Sequence, residues 1–197
     1  MSQINKHSAA SGTTPDAELL KRVVKGDNVA FAEVMRRFTP MAYSVAYRMY
    51  SQKSDAEDVV QDAFLKLWDK AHLYDETKGA AVSTWFYRMV YNLCIDLKRK
   101  EKGTKTELND HYESKDAQAD QAFDEDNQSK RVRKAVMTLP ARQRAALILC
   151  HFEGHSNEEA ATIMETTVKG VEGLLVRARK TLQETLKAEQ ALFKGSW

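Results

Sequence analysis

The spacing of apolar residues predicts helices throughout the chain. In residues 83–100, "STWFYRMVYNLCIDLKRK", apolar side chains return every three to four positions, as on one buried helix face. These positions are Trp85, Phe86, Met89, Val90, Leu93 and Leu97. The opposite face carries Tyr87, Arg88, Tyr91, Asn92, Asp96 and Arg99. Two tyrosines and an asparagine among cations are unusual on a solvent face, so this face is a candidate binding surface.

Three further helices precede this one. A short helix covers residues 19–24 and stops where Gly26 suits a C-terminal cap. A longer helix covers residues 31–49, with Pro40 inside it as a kink or a restart. A third opens at "SDAE", residues 54–57, which reads as a capping box. With the helix that begins near residue 83, these helices predict a compact bundle.

The second half of the chain predicts a helix-turn-helix unit. A basic helix surrounds residues 132–137, Pro140 is typical of a first helical residue, and Gly154 is a second candidate cap. Ser156 and Glu159 form another capping box. A short helix, a tight turn and a longer helix follow. The residues expected between the last two helices are Ala161, Ile163, Val171, Leu174 and Leu175.

Composition narrows the class of protein. The 197 residues suffice for one large or two small domains, and 43% hydrophobic with 29% charged residues predicts a packed, highly charged chain. No apolar run reaches the ~18 residues of a membrane span, and the N-terminus lacks a signal-peptide core. Cys94 and Cys150 lie far apart in helical patterns, which favours a reducing compartment. We therefore expect a cytoplasmic protein without membrane insertion.

Charge is distributed in blocks. Residues 85–106 carry net +4, residues 107–128 carry −7 and residues 129–146 carry +6. The acidic block has few large apolar residues and no periodicity, which predicts a disordered linker between two helical domains. The charges either keep a linker soluble or mark two anion-binding modules joined by an acidic tether.

Other chemistry is weakly represented. The chain has no glycine-rich phosphate loop, nucleophile elbow or catalytic carboxylate cluster, so we expect no enzyme and no cofactor. Cys150, His151 and His155 in "CHFEGHS" could hold a metal but lack a fourth ligand. Arg177, Arg179 and Lys180 form a cationic run on the last helix, and the run is either solvated or binds DNA.

The motifs together resemble the extracytoplasmic-function (ECF) sigma factors, which are promoter-specificity subunits of RNA polymerase. The blocks that carry the resemblance follow in order: "LLKRVVKGDNVAFAEVMRRF", "DAEDVVQDAFLKLWDKAHLYD", "STWFYRMVYNLCIDLKRK", "LPARQRAALILCHFEGHSNEEAATIM" and "VEGLLVRARKTL". The resemblance implies an all-α chain with two helical domains, a helical bundle and a four-helix helix-turn-helix domain, joined by an acidic flexible linker. The expected division is a tail (1–15), sigma region 2 (16–103), the linker (104–128), sigma region 4 (129–190) and a C-terminal tail (191–197).

The resemblance also implies partners and site residues. The partners are core RNA polymerase, through the clamp of its β′ subunit and the β flap, promoter DNA, and an anti-sigma factor. Polymerase-binding residues would be Asp58, Gln61, Asp62 and Lys66. Residues for the −10 element would be Tyr87, Arg88, Tyr91, Asn92, Lys98 and Arg99. Residues for the −35 element would be Lys169, Glu172, Arg177, Arg179 and Lys180. No catalytic residue or metal ligand is implied.

These roles rest on familiar chemistry. Tyrosines can stack on the bases of a melted strand, cations can neutralise phosphates, and an asparagine can read an extruded base. Alternatively, Tyr87 and Tyr91 cover the bundle and Asn92 is solvated. The chain departs from the family at Glu172-Gly173-Leu174, where Ser and basic residues are expected, so −35 contacts carry over better at Arg177 and Arg179. The rival function is a helix-turn-helix regulator that binds duplex DNA without polymerase.

Overall fold

The computed structural model describes residues 14–107 and 127–194, and in these ranges the chain forms eight α-helices. They are α1 (Asp16–Val24), α2 (Asn28–Tyr50), α3 (Lys53–Lys70), α4 (Val82–Glu107), α5 (Asn127–Met137), α6 (Ala141–Leu147), α7 (Asn157–Ile163) and α8 (Val168–Lys194). The predicted tail of residues 1–15 and the acidic linker of residues 104–128 lie largely outside the described residues. None of the helices in the two described ranges combines the length and hydropathy that a membrane span requires.

Helices α1–α4 form the predicted bundle. Gly26 follows α1 with a φ of +81°, which confirms the predicted glycine cap. Asp27 begins α2 by accepting hydrogen bonds from the backbone N–H groups of Val29 and Ala30 at 2.9 and 3.0 Å. Helix α2 runs on through Pro40, so that residue does not restart the helix.

Two predicted helix starts are wrong, by two residues for α3 and by one residue for α6. Helix α3 begins at Lys53 after Gln52, and no side chain caps it, so Ser54 lies inside the first turn instead of forming a capping box. Pro140 is the residue before α6, not its first residue, because its ψ of 142° is extended. Both errors concern the first turn, where local sequence signals are compatible with neighbouring starts.

The bundle core follows the predicted apolar stripe of α4. Phe86 is fully buried, with its ring centroid 5.0 Å from that of Phe64 on α3 and 5.6 Å from that of Phe38 on α2. Val90 and Leu93 are buried on the same stripe. Three helices therefore meet at one aromatic cluster, which fixes the outward face of α4 relative to α2 and α3.

Helices α5–α8 form the second domain. Helix α6 continues as a π-helical turn, Ile148–Phe152, and Gly154 then reverses the chain with a φ of +77°. The predicted capping box is confirmed at α7: the Glu159 N–H donates to Ser156 Oγ at 3.2 Å, and the Ser156 N–H donates to Glu159 Oε2 at 2.9 Å. Ile163, Val171 and their predicted apolar neighbours pack between α7 and α8 as a helix-turn-helix.

The second domain packs directly on the first. Buried side chains from both domains form one continuous apolar cluster. Arg144 on α6 is 5% exposed, and its guanidinium donates to the carbonyl of Met49 on α2 at 2.5 Å. The same guanidinium donates to the carbonyls of Val136, Met137 and Leu139 in its own domain. A buried guanidinium needs such partners, because an unpaired charge in the interior is strongly destabilising.

Candidate nucleic-acid and partner interfaces

Helix α3 presents a polar face with an exposed leucine at its centre. Asp58, Gln61 and Asp62 are exposed and Lys66 is half-buried, so the structure brings these four predicted residues together on one side of the helix. At 3.6 residues per turn Leu65 lies in the middle of this set, and it is 58% exposed. The sequence analysis missed Leu65 because its position falls outside the apolar stripe that marks the core.

A groove runs along the edge of this face. It is lined by Tyr50, Asp55, Asp58, Gln61, Asp62 and Leu97. Three carboxylates around an apolar floor complement a cationic side chain with an aliphatic stem. The groove is therefore suited to an Arg or Lys of a protein partner.

Aromatic residues extend the apolar surface beside the groove. Trp68, one turn beyond Leu65 on α3, is 37% exposed, and its ring meets that of Phe31 edge-on at 4.8 Å. An exposed leucine and tryptophan within a charged rim have the composition of a protein-protein contact centre.

The two tyrosines of α4 do not lie on a solvent face, which corrects the sequence-based expectation. Tyr87 is 9% exposed and Tyr91 is 6% exposed, because α6, α7 and the loop between them pack against α4. The Tyr87 hydroxyl donates to Glu153 Oε2 at 3.2 Å, and its ring meets that of His155 edge-on at 4.4 Å. Burial and the adjacent Glu153 carboxylate raise the pKa of Tyr87, so its hydroxyl stays protonated and able to donate.

Tyr91 has its own partner in the second domain. The cationic side chain of Arg142 on α6 lies close enough to Tyr91 to act against the rise in the pKa of its hydroxyl. Burial is the largest influence on the pKa of Tyr91 and raises it. Both candidate stacking rings of α4 are therefore engaged by the second domain.

The remaining candidates for the −10 element also lie on α4. Arg88 lies with its Nη1 3.4 Å from Glu165 Oε1 in the turn between α7 and α8. Asn92 is half-buried beside the tyrosines. Toward the end of α4, Lys98 Nζ lies 4.5 Å from the ring centroid of Tyr50, and Arg99 pairs with Asp96 at 3.2 Å. The six predicted residues thus share α4, but the first half of the set faces the second domain.

The five candidates on α8 are all exposed. Lys169, Glu172, Arg177, Arg179 and Lys180 fall within about half of the helix circumference at 3.6 residues per turn. Val176 lies in the middle of this set and is 64% exposed, a second apolar residue that the sequence analysis missed. Apart from Glu172, this surface consists of cations around one small apolar side chain, which suits phosphates with a base methyl group between them.

The Arg177 guanidinium lies back over Gly173, one turn earlier on α8. A Cβ placed at Gly173 would lie 3.4 Å from Arg177 Nη1, an ordinary contact, so the space around this position does not require a glycine. Near the helix start, the Gly170 N–H donates to Thr167 Oγ1 at 3.1 Å, which makes Thr167 the cap of α8.

The turn between α7 and α8 holds its backbone in an uncommon conformation. Glu165 has a φ of +50°, in the left-handed region that costs a residue with a Cβ about 1–2 kcal/mol. Glycine and asparagine adopt this region more readily. The sequence gives no sign of the conformation, since it carries no glycine at this turn.

The candidate metal residues point to separate partners. Cys150 Sγ hydrogen-bonds Asn157 Oδ1 at 3.7 Å, His151 Nε2 lies 3.5 Å from Arg179 Nη2, and the His155 ring lies against Tyr87. Within residues 14–107 and 127–194 no group of three His, Cys, Asp or Glu side chains converges as a metal site.

The thiol of Cys94 is buried in the bundle. Burial raises its pKa to about 12, so the thiol stays protonated and unreactive near neutral pH.

Two family matches divide the chain as the helices do. Residues 34–104 match the family described as Sigma-70 region 2, and residues 129–182 match Sigma-70 region 4. The first match contains most of α2 and all of α3, and the second runs from α5 into α8.

Relatives match over most of the chain. It is 35% identical over 174 residues to the ECF RNA polymerase sigma factor SigM of Mycobacterium tuberculosis, which covers 87% of this chain and 84% of the relative. It is 28% identical over 185 residues to the ECF RNA polymerase sigma factor SigW of Bacillus subtilis, covering 85% and 95%.

Solved structures are similar over both domains. CnrH in complex with the cytosolic domain of CnrY aligns with a TM-score of 0.63 at 26% identity, covering 88% of this chain and 97% of that one. The sigma factor RpoE of Bartonella quintana, in complex with the anti-sigma factor NepR, aligns with a TM-score of 0.64 at 27% identity, covering 80% and 96%.

Proposed function

The chain belongs to the ECF family of RNA polymerase sigma factors, and we propose how its two domains divide promoter recognition. It is an alternative sigma factor, in a family of non-catalytic transcription initiation factors. In the proposal, residues 16–103 bind core RNA polymerase and the −10 element, and residues 129–190 bind the −35 element. The observation that carries the proposal is the order of sigma regions 2 and 4 along one chain, each with its own exposed charged face.

Core polymerase would bind the exposed face of α3. Asp58, Gln61 and Asp62 would pair with basic residues of the β′ clamp, one of which enters the acidic groove. Leu65 adds the apolar centre that the sequence-based set lacked, and Lys66 would lie at the rim. An apolar centre with a charged rim gives both affinity and orientation, because the centre excludes water and the rim charges select the partner.

The −10 element would bind the outward face of α4. Tyr87 and Tyr91 would stack on bases of the melted strand, each stack worth about 1–3 kcal/mol. Asn92 would pair with the edge of an extruded base. Arg88, Lys98 and Arg99 would neutralise phosphates. Because the second domain covers both tyrosines, this role requires the two domains to separate.

The −35 element would bind the exposed face of α8 in the major groove of duplex DNA. Arg177, Arg179 and Lys180 would anchor phosphates, and Lys169 would approach the duplex at the helix start. Glu172 would accept a hydrogen bond from the N4 amino group of a cytosine. A carboxylate here otherwise repels phosphate, so a neutral substitution at Glu172 separates base reading from repulsion.

An anti-sigma factor would be the regulatory partner. RpoE of Bartonella quintana, which is similar over both domains, is in complex with the anti-sigma factor NepR. CnrH is likewise in complex with the cytosolic domain of CnrY. The exposed Leu65 and Trp68 are apolar contacts that such a partner could share with polymerase.

Reconstituted transcription tests the proposal. The purified chain is combined with bacterial core RNA polymerase and a library of promoter-length DNA fragments, and permanganate reactivity detects melted thymines. We expect initiation at a subset of fragments that share −35 and −10 sequences. Binding to duplex DNA without co-purification with core enzyme and without melting would instead identify a helix-turn-helix regulator that acts without polymerase.

A further inference from the structure

Above the apolar contact between the two domains, two acidic side chains of the second domain face donors of the first. Glu153 Oε1 accepts a hydrogen bond from Ser44 Oγ on α2 at 2.7 Å, and Oε2 accepts from the Tyr87 hydroxyl at 3.2 Å. The Nη1 of Arg48 lies 3.8 Å from the same carboxylate. With its side chain only 10% exposed, Glu153 is an anion enclosed by donors of the first domain.

Glu165 makes a second contact of the same kind. Its carboxylate lies 3.4 Å from Arg88, while its backbone stays in the left-handed conformation that glycine adopts more readily. Strained backbone persists where the surroundings or a function require the side chain that it carries. A glutamate in place of glycine here places an anion against a cation of the other domain.

The donors that face these two carboxylates include proposed DNA contacts. Tyr87 and Arg88 lie on the −10 face of α4, and Arg48 lies on the neighbouring helix α2. A hydroxyl and guanidinium groups bind phosphate oxygens with the same geometry with which they bind carboxylates. We propose that Glu153 and Glu165 mimic phosphates of the −10 strand, so that the second domain competes with DNA for the first domain of its own chain.

The proposal rests on the proposed function of α4 in −10 recognition. It adds that the free chain inhibits itself before any partner binds. The apolar contact beneath the carboxylates holds the two domains together. The two glutamates make this packed form incompatible with DNA binding, because a DNA phosphate and a glutamate cannot accept from the same donors at once. Removal of the two carboxylate charges should therefore raise the affinity of the free chain for single-stranded DNA.

The test uses the full chain with matched charge changes. The variant Glu153→Gln with Glu165→Gln keeps side-chain size and removes two charges at the contact. The control, Glu158→Gln with Glu184→Gln, removes two charges from exposed positions on α7 and α8 of the same domain. The probe is a pool of random single-stranded DNA decamers, measured by fluorescence anisotropy at one fixed salt concentration.

We expect the contact variant to bind the decamers about tenfold more tightly than the control, as for the loss of one charge-assisted hydrogen bond in the packed form. Its radius of gyration in small-angle scattering should also rise. Equal affinity of the contact variant and the control would overturn the mimicry. Because Glu165 is 58% exposed, Glu165→Gln alone should fold and still exceed Glu158→Gln in affinity.

Initiation with core polymerase separates this proposal from the function on which it rests. Normal initiation by the parent chain, together with equal decamer affinity of the contact variant and the control, overturns the phosphate mimicry alone. Absence of initiation together with absence of decamer binding in every variant overturns both the sigma-factor roles and the mimicry.

Discussion

Among single residues, Asp62 gives the sharpest test of the α3 face. We expect Asp62→Lys to weaken binding to core polymerase, because it places a cation beside the acidic groove proposed to receive one. Glu57→Lys is the matched control. It reverses the same charge on α3, but five residues before Asp62, so the new cation leaves the helix in a different direction. Titration of core enzyme against both variants, with helicity checked by circular dichroism, measures the difference. Unchanged affinity of Asp62→Lys would exclude this surface.

His155 is a residue whose chemistry the domain contact determines. Burial lowers its pKa below the usual 6.5, although Glu159 at 3.7 Å and the nearby Glu153 act in the opposite direction. The third group that faces the ring is the Tyr87 hydroxyphenyl on α4. The neutral imidazole is therefore the form that fits the packed domains.

The lowered pKa of His155 makes the stability of the chain depend on pH. Unfolded His155 binds a proton at about pH 6.5, but the folded residue does so only at lower pH, so acid favours unfolding. We expect the free energy of unfolding to be highest above pH 6.5 and to fall as the pH drops below it. His155→Phe should keep the edge contact with Tyr87 and flatten the fall. Urea unfolding at a series of pH values compares the two chains, and parallel curves would contradict the assignment.

At the scale of helices, α8 contains two glycines with opposite surroundings. An added Cβ at Gly173 meets Arg177 Nη1 at an ordinary 3.4 Å, whereas one at Gly170 would lie 2.7 Å from Thr166 Oγ1. Gly173→Ala should therefore stabilise the chain by up to about 1 kcal/mol, the helix-propensity difference. Gly170→Ala should gain less, because Thr166 must move. Thermal unfolding of the two variants measures this, and a larger gain at Gly170 would refute the prediction.

The exposed cations of α8 should act mainly through phosphate. We expect Arg177→Ala to weaken binding to random-sequence duplex DNA and to reduce the slope of log affinity against log salt by roughly one unit. Arg36→Ala serves as the control, since Arg36 is exposed on α2 and pairs with Glu33. Anisotropy titrations across salt concentrations provide the slopes. An unchanged slope with loss at one sequence would indicate base reading instead.

Helices and their pairing could be predicted from the sequence because the signals are local. The apolar period of α4, the glycine after α1 and the capping box of α7 each act within a few residues. The start of α3 could not be predicted from its cap, because the helix begins after Gln52 without any side-chain cap, whereas the sequence signal points to Ser54. Leu65 was not predicted as a surface residue, because an apolar residue can be identified as exposed only once the residues that form the core are known.

At the scale of the whole molecule, the packing of the two domains against each other could not be predicted from the sequence. The charge blocks and motifs predicted two domains and their candidate faces, and the family matches confirm the sigma-factor identity. Contacts such as Ser44 with Glu153 join residues that are more than one hundred positions apart, and no periodicity or motif links them. The burial of Tyr87 and Tyr91 is therefore a property of domain packing, and the helix pattern alone could assign them only to an outward face.

Arg144 bonds to both domains, so separation of the domains changes its hydrogen bonding. Its bond to the Met49 carbonyl crosses between domains, whereas its bonds to Val136, Met137 and Leu139 stay within the second. Separation therefore breaks the bond to Met49 and leaves the guanidinium bonded to carbonyls of its own domain.

This arrangement has a kinetic consequence. If strand capture waits for separation, the observed rate constant should rise with DNA concentration and then level off at the rate constant of opening. Stopped-flow mixing of the free chain with excess single-stranded decamers measures the curve. Glu153→Gln with Glu165→Gln should raise the plateau, whereas Glu158→Gln with Glu184→Gln should leave it in place. A rate that climbs linearly to the highest DNA concentration would mean that the −10 face is open all the time.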